Sequence, residues 1–252
     1  MSTPKNIPEG PIGELVEQNY VFAAVLHYFG ISFFEYEESS LDEVCKKFKV
    51  SPLQIMQELE NWAIRKEPTP EELFLHPIEV LVEYLKKKHH YFLRHELPFL
   101  SSMIAGIRPE KKYEALLADM RLMFPLFVDD FIHHIHEEEN TLFRRIKLLH
   151  QIERGEYNMV DALTLLDNTP ISELAAEHEV HDDEMEGIRR LTSDYRLTPP
   201  ITVIMKVLYH ELQNFEKELI IHAKIENDLL FPKAIELEKD VKRNLIKKIK
   251  WN

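Results

Sequence analysis

The stretch His222-Ala-Lys-Ile-Glu226-Asn-Asp-Leu-Leu-Phe231 is a near copy of His134-Ile-His-Glu-Glu138-Glu-Asn-Thr-Leu-Phe143, 88 residues upstream. The chain therefore contains an internal repeat, and the repeat has helical phase. One face carries Phe127, Phe131, His134, Glu138 and Leu142 in the first copy, and Phe215, Leu219, His222, Glu226 and Leu230 in the second. Positions i and i+4 of a helix point the same way, with Cβ atoms about 6 Å apart. A His and a Glu thus enter whatever the apolar stripe covers, twice. Buried ionisable groups of this kind need partners or a metal.

Six glycines in 252 residues and long amphipathic runs without strand-type alternation predict an all-α protein. The formal charge of -13 argues against nucleic acid and anionic membrane as partners, because both require a basic footprint. No run approaches the ~20 apolar residues of a membrane span. A single cysteine, Cys45, and an N-terminus without a signal-type apolar stretch fit a reducing, cytoplasmic location.

Three helical segments are expected in the first part of the chain: 14–29, 41–48 and 52–65, each with cap chemistry at an end. Their spacing resembles a helix-turn-helix, but six Lys or Arg against thirteen Asp or Glu in residues 1–75 would repel DNA. Lys66-Glu-Pro-Thr-Pro-Glu-Glu reads as a joint, which divides the chain into a small helical domain, 1–70, and a second domain, 71–252. The second domain reads as an antiparallel four-helix bundle with helices over about 76–107, 109–154, 171–195 and 199–230. Pro98 and Pro125 should bend the first two helices, and Pro232 should close the last. The tail beyond it carries only a weak pattern for a short fifth helix.

The first and third helices repeat at the same offset, which selects His90 and His178 and spaces four histidines evenly by 44: His90, His134, His178 and His222. With Glu138 and Glu226 they suit a dinuclear centre, two His terminal on each metal and both carboxylates bridging. Imidazole with carboxylate favours iron, or manganese, over a thiolate-rich zinc site. His133 and Glu137 form a similar pair about 100° round the helix, without a counterpart 88 residues on, and count as a coincidental surface pair.

His90 upstream of Glu96-Leu-Pro98, His134-x-x-x-Glu138, Glu177-His178 before Ile188-Arg-Arg-Leu-Thr192, and His222-x-x-x-Glu226-Asn before Leu-Leu-Phe-Pro232 resemble the hemerythrin-like Repair of Iron Centers family. Four motifs in order, from about Gly13 to Ala234, carry the resemblance. It implies a hemerythrin-like bundle holding two non-haem irons on His90, His134, Glu138, His178, His222 and Glu226. Asp130 and Glu177 fall where the family has acidic residues beside the metals, and His181, one turn past His178, is a further candidate neighbour. The family is implicated in restoring iron–sulfur clusters damaged by nitric oxide or peroxide. The chain departs from it at the N-terminus: Phe34 and Glu35 stand where the family has adjacent cysteines, so thiol chemistry is missing there. That leaves the N-terminal domain a docking role, onto the bundle or onto a second subunit of a homodimer.

Three functions compete. The resemblance implies a stress-response protein whose di-iron centre reacts with nitric oxide or peroxide, or serves damaged iron–sulfur proteins. A hemerythrin-type carrier or sensor of oxygen or nitric oxide is the alternative; it would use a fifth His ligand, from His181, His133 or His136. A metal-free structural bundle is the third.

Overall fold

The computed structural model describes residues 8–64, 67–108, 110–166, 170–179 and 185–251. Every extended element among them is helical, as the glycine-poor amphipathic pattern requires, and no described helix is long and apolar enough to cross a membrane. The helices in chain order are α1 (Ile12–Gln18), α2 (Val21–Tyr28), α3 (Leu41–Phe48), α4 (Pro52–Ile64), α5 (Pro70–Phe74), α6 (Ile78–Tyr91), α7 (Leu97–Gly106), α8 (Glu114–Glu138), α9 (Arg144–Glu153), α10 (Met159–Leu166), α11 (Ile171–Glu179), α12 (Glu186–Leu191), α13 (Val203–Ile225) and α14 (Phe231–Trp251).

Residues pack into two compact units. The first comprises Met1–Glu67, Phe92–Leu126 and Met185–Glu216, and the second Pro68–Tyr91, Phe127–Glu184 and Lys217–Asn252. The first unit thus includes helical segments well beyond residue 70. Its packing is specific: the Phe34 ring lies against Gly106, where a Cβ would come within 2.4 Å of it. A capping box joins Ser40 and Glu43 at the start of α3, and another joins Thr69 and Glu72 at the start of α5.

In the second unit one apolar core includes Leu81 and Leu85 of α6, Ile146 and Leu149 of α9, and Phe231, Ala234, Val241 and Leu245 of α14. Burying each such large side chain contributes about 1.5–3 kcal/mol. Helix α14 packs against α9, α10 and α11. Four helical arms meet here: α6, the end of α8 with α9, α11, and the end of α13 with α14. The helical-bundle expectation holds in this form.

Prolines and wide turns explain where the helices differ from the expected spans. A π turn, Phe92–Glu96, separates α6 from α7; a second, Glu139–Phe143, separates α8 from α9; a third, Glu226–Leu230, separates α13 from α14. Pro98 and Pro232 each follow a π turn in the first turn of the next helix, where a missing N–H and the ring are tolerated. Pro232 therefore does not end the last helix, and the charged tail is α14, 21 residues long, rather than a short appendage. Pro125 sits inside α8 without ending it.

Candidate metal centre

The site lies in the second unit, where α6, α8, α11 and α13 each bring one histidine inward. Leu81, Leu85 and His89 follow one another four residues apart along the buried face of α6, and His89 is 1% exposed. His90, one residue on, is turned about 100° away and is exposed. The sequence-based choice of His90 is thus corrected to His89 as the inward position. Even spacing through loops carries no physical constraint, whereas helical phase does. The apolar stripe of α6 was the signal that could have found His89.

His89, Glu138, His222 and Glu226 are all buried, and each offers a ligand atom within 4.8 Å of the others. His89 Nε2 lies 3.0 Å from His222 Nε2 and 3.3 Å from Glu138 Oε2. Glu226 reaches in two directions, with Oε1 2.7 Å from His222 Nε2 and Oε2 3.4 Å from His178 Nε2. His178 in turn pairs with His134, ring centroids 5.2 Å apart, while His89 and His222 pair at 4.9 Å. The six side chains thus form two histidine pairs, and the two oxygens of Glu226 face different pairs.

Asp130 is exposed, as are His133, Glu137 and His136, which leaves the last three on the solvent side of α8. The side chain of Glu177 and the whole of His181 lie outside the described residues. The sequence reading missed Glu139, whose Oε1 is 2.8 Å from His89 Nδ1. It is the first residue of a π turn, and the α-helical periodicity used on the sequence does not place it on this face.

Electrostatics show what the cluster lacks. Burial, then the charge of Glu226, pushes the Glu138 carboxyl up to about 8. Burial also opposes the charge on Glu226, but the imidazoles of His222 and His178 outweigh it and hold that carboxyl well below the usual range. Burial and the neighbouring His178 lower His134. Burial would lower His89 too, yet its contacts with Glu138 and Glu139 outweigh burial and raise it. Neither carboxylate oxygen of Glu138 receives a hydrogen bond among the described residues. Without a cation the pocket therefore holds one carboxylate charge and resists a second. Nitrogen and oxygen lone pairs converging on shared points, with an orphaned buried carboxylate among them, are a donor set that fits metal cations.

Residues 80–234 match the hemerythrin HHE cation binding domain. The chain belongs to that family. Its relatives include the iron-sulfur cluster repair protein ScdA of Staphylococcus haemolyticus, 24% identical over 226 residues, covering 89% of this chain and 97% of that protein. The protein named YtfE, likewise an iron-sulfur cluster repair protein, is 27% identical in Musicola paradisiaca over 162 residues, covering 63% of this chain and 66% of that one. In Yersinia pseudotuberculosis it is 26% identical over 181 residues, covering 69% and 73%. Membership supports the metal-binding reading of the His/Glu cluster.

In the first unit, Phe34 packs on Gly106. Cys45 is buried, and burial, aided by Asp42, pushes its thiol up to about 11. A thiol so held is a packing group rather than a nucleophile.

Proposed function

We propose that this chain is a non-haem di-iron protein acting in the repair of iron–sulfur clusters damaged by nitric oxide or peroxide, with damaged iron–sulfur proteins as its clients. The observation that carries the reading is Glu226, whose two oxygens reach one histidine of each pair, 2.7 and 3.4 Å away, as a carboxylate bridging two metals would. His89 and His222 would hold one iron, His134 and His178 the other, and Glu138 and Glu226 would bridge them. When bound, the pair of irons supplies redox and small-ligand chemistry. The chain's own residues orient the imidazoles, exclude water from four buried groups and supply the negative charge. The names of the relatives support the repair role and iron as the metal. An oxygen-carrier reading needs a fifth histidine, and His133 and His136 face solvent.

Iron analysis and optical spectra of anaerobically reconstituted protein, with and without nitric oxide, test the centre. Reactivation of a nitric-oxide-treated iron–sulfur enzyme tests the role. Two irons per chain, a spectrum that changes with nitric oxide, and restored client activity are expected. A chain that retains no iron after reconstitution overturns the proposal, and a loaded chain without effect on the client overturns its repair part.

A further inference from the structure

The π turn Glu139–Phe143 touches the same imidazole at both ends. Glu139 Oε1 lies 2.8 Å from His89 Nδ1, and the Phe143 ring stacks on the His89 ring at 5.7 Å with only 4° between their planes. On its remaining edge, His89 Nε2 faces His222 Nε2 and Glu138 Oε2. A carboxylate accepts, so the Nδ1 edge is the donor, and this fixes the tautomer that leaves the Nε2 lone pair facing the other site atoms. Glu139 is a third exposed and Glu138, its neighbour, is 4% exposed at the side chain, so two adjacent carboxylates take different roles on one ring.

We infer that Glu139 is the positioning residue for His89: it holds the Nδ1–H tautomer and turns Nε2 toward the metal, with Phe143 fixing the ring plane. The inference rests on the proposed metal centre. Carboxylates behind metal-bound histidines raise the basicity of the ligand and fix its orientation, and their loss typically costs about 10–100-fold in metal affinity. The same fold-loss is expected here for Glu139→Ala. Glu139→Gln, which keeps an acceptor oxygen without the charge, should fall between that variant and the parent.

The test uses the full-length chain, stripped by chelation and titrated anaerobically with Fe²⁺ against a competing chelator. Glu137→Ala, on the exposed side of the same helix, should match the parent. A second readout is the exchangeable Nδ1–H resonance of His89 in cobalt-loaded protein, which should exchange faster with solvent in Glu139→Ala. Parent-like affinity and unchanged exchange in a folded Glu139→Ala or Glu139→Gln protein overturn the inference, as does weaker binding with unchanged exchange, since that marks a merely structural effect. A parent chain that binds no Fe²⁺ overturns the metal centre itself, and this inference with it.

Discussion

Two clusters of buried charge lie in the same compact unit, and they are satisfied in opposite ways. Arg145 of α9 and Glu238 of α14 are both buried, and the guanidinium makes four hydrogen bonds: Nη2 is 2.7 Å and Nε 3.2 Å from Glu238 Oε1, with further bonds to the carbonyls of Leu165 and Leu166. Glu238 Oε2 also accepts from the Ile171 backbone at 3.3 Å, which ties the start of α11 to α14. That pair is closed by protein alone. Around Glu138 and Glu226 the neighbours are imidazoles, and the pocket cannot charge both carboxyls without outside help. A buried ion pair complete in itself reads as architecture, whereas a buried acidic cluster facing imidazole lone pairs reads as a place for a cation.

The largest expected effect breaks the closed cluster. Arg145→Ala leaves Glu238 buried without its main partner and should cost about 3–5 kcal/mol of stability, whether or not metal is present. Chemical denaturation of metal-loaded and metal-free protein would check this, and a loss below about 1 kcal/mol would show that the pair is not closed in the way described.

Next comes metal removal, which should affect only the open cluster. A ligand at a hundredfold excess over its Kd stabilises the native state by about 2.7 kcal/mol, so stripped protein should melt lower at pH 7 than iron-loaded protein. Because protons compete with metal for the same lone pairs, the gap should shrink as pH falls toward about 5. Equal melting temperatures at pH 7, with metal loss confirmed by analysis, would sink the comparison.

Smaller again is the difference between adjacent histidines. His89→Ala removes a ligand and should weaken metal binding by at least the about 10–100-fold, or about 1.4–2.7 kcal/mol, expected for losing a group behind a ligand, while His90→Ala on the exposed face should leave it unchanged. Similar losses in the two variants would mean that the phase of α6 is misassigned.

A last effect comes from a half-buried carboxyl in the first unit. Burial lifts Glu211 to about 7. Its folded pKa lies above the unfolded value near 4.3, so its contribution is fully present below pH 4 and is lost as pH rises through 7. Above pH 7 the wild type should therefore be less favourable, relative to its acid value, than Glu211→Gln, which has no such slope. Parallel stability–pH curves for the two proteins would show that Glu211 is solvated.

The sequence by itself determined the helical class and the inward stripe of the two repeated segments. In His134-x-x-x-Glu138 and His222-x-x-x-Glu226, i,i+4 spacing places each pair on one helical face whatever the rest of the chain does. It also marked His133 and Glu137 as outward, through the same phase. Tertiary structure decided what no local period contains. Equal spacing through loops favoured His90, but packing of Leu81 and Leu85 into the core turned His89 inward, since phase along α6 is set by what it buries. Pro232 reads as a stop when only its own helix is considered, yet a π turn just before it lets α13 run on into α14. Glu139 became a partner of His89 for the same reason: a wide turn changes which side chains share a face, and its position depends on the helices packed around it.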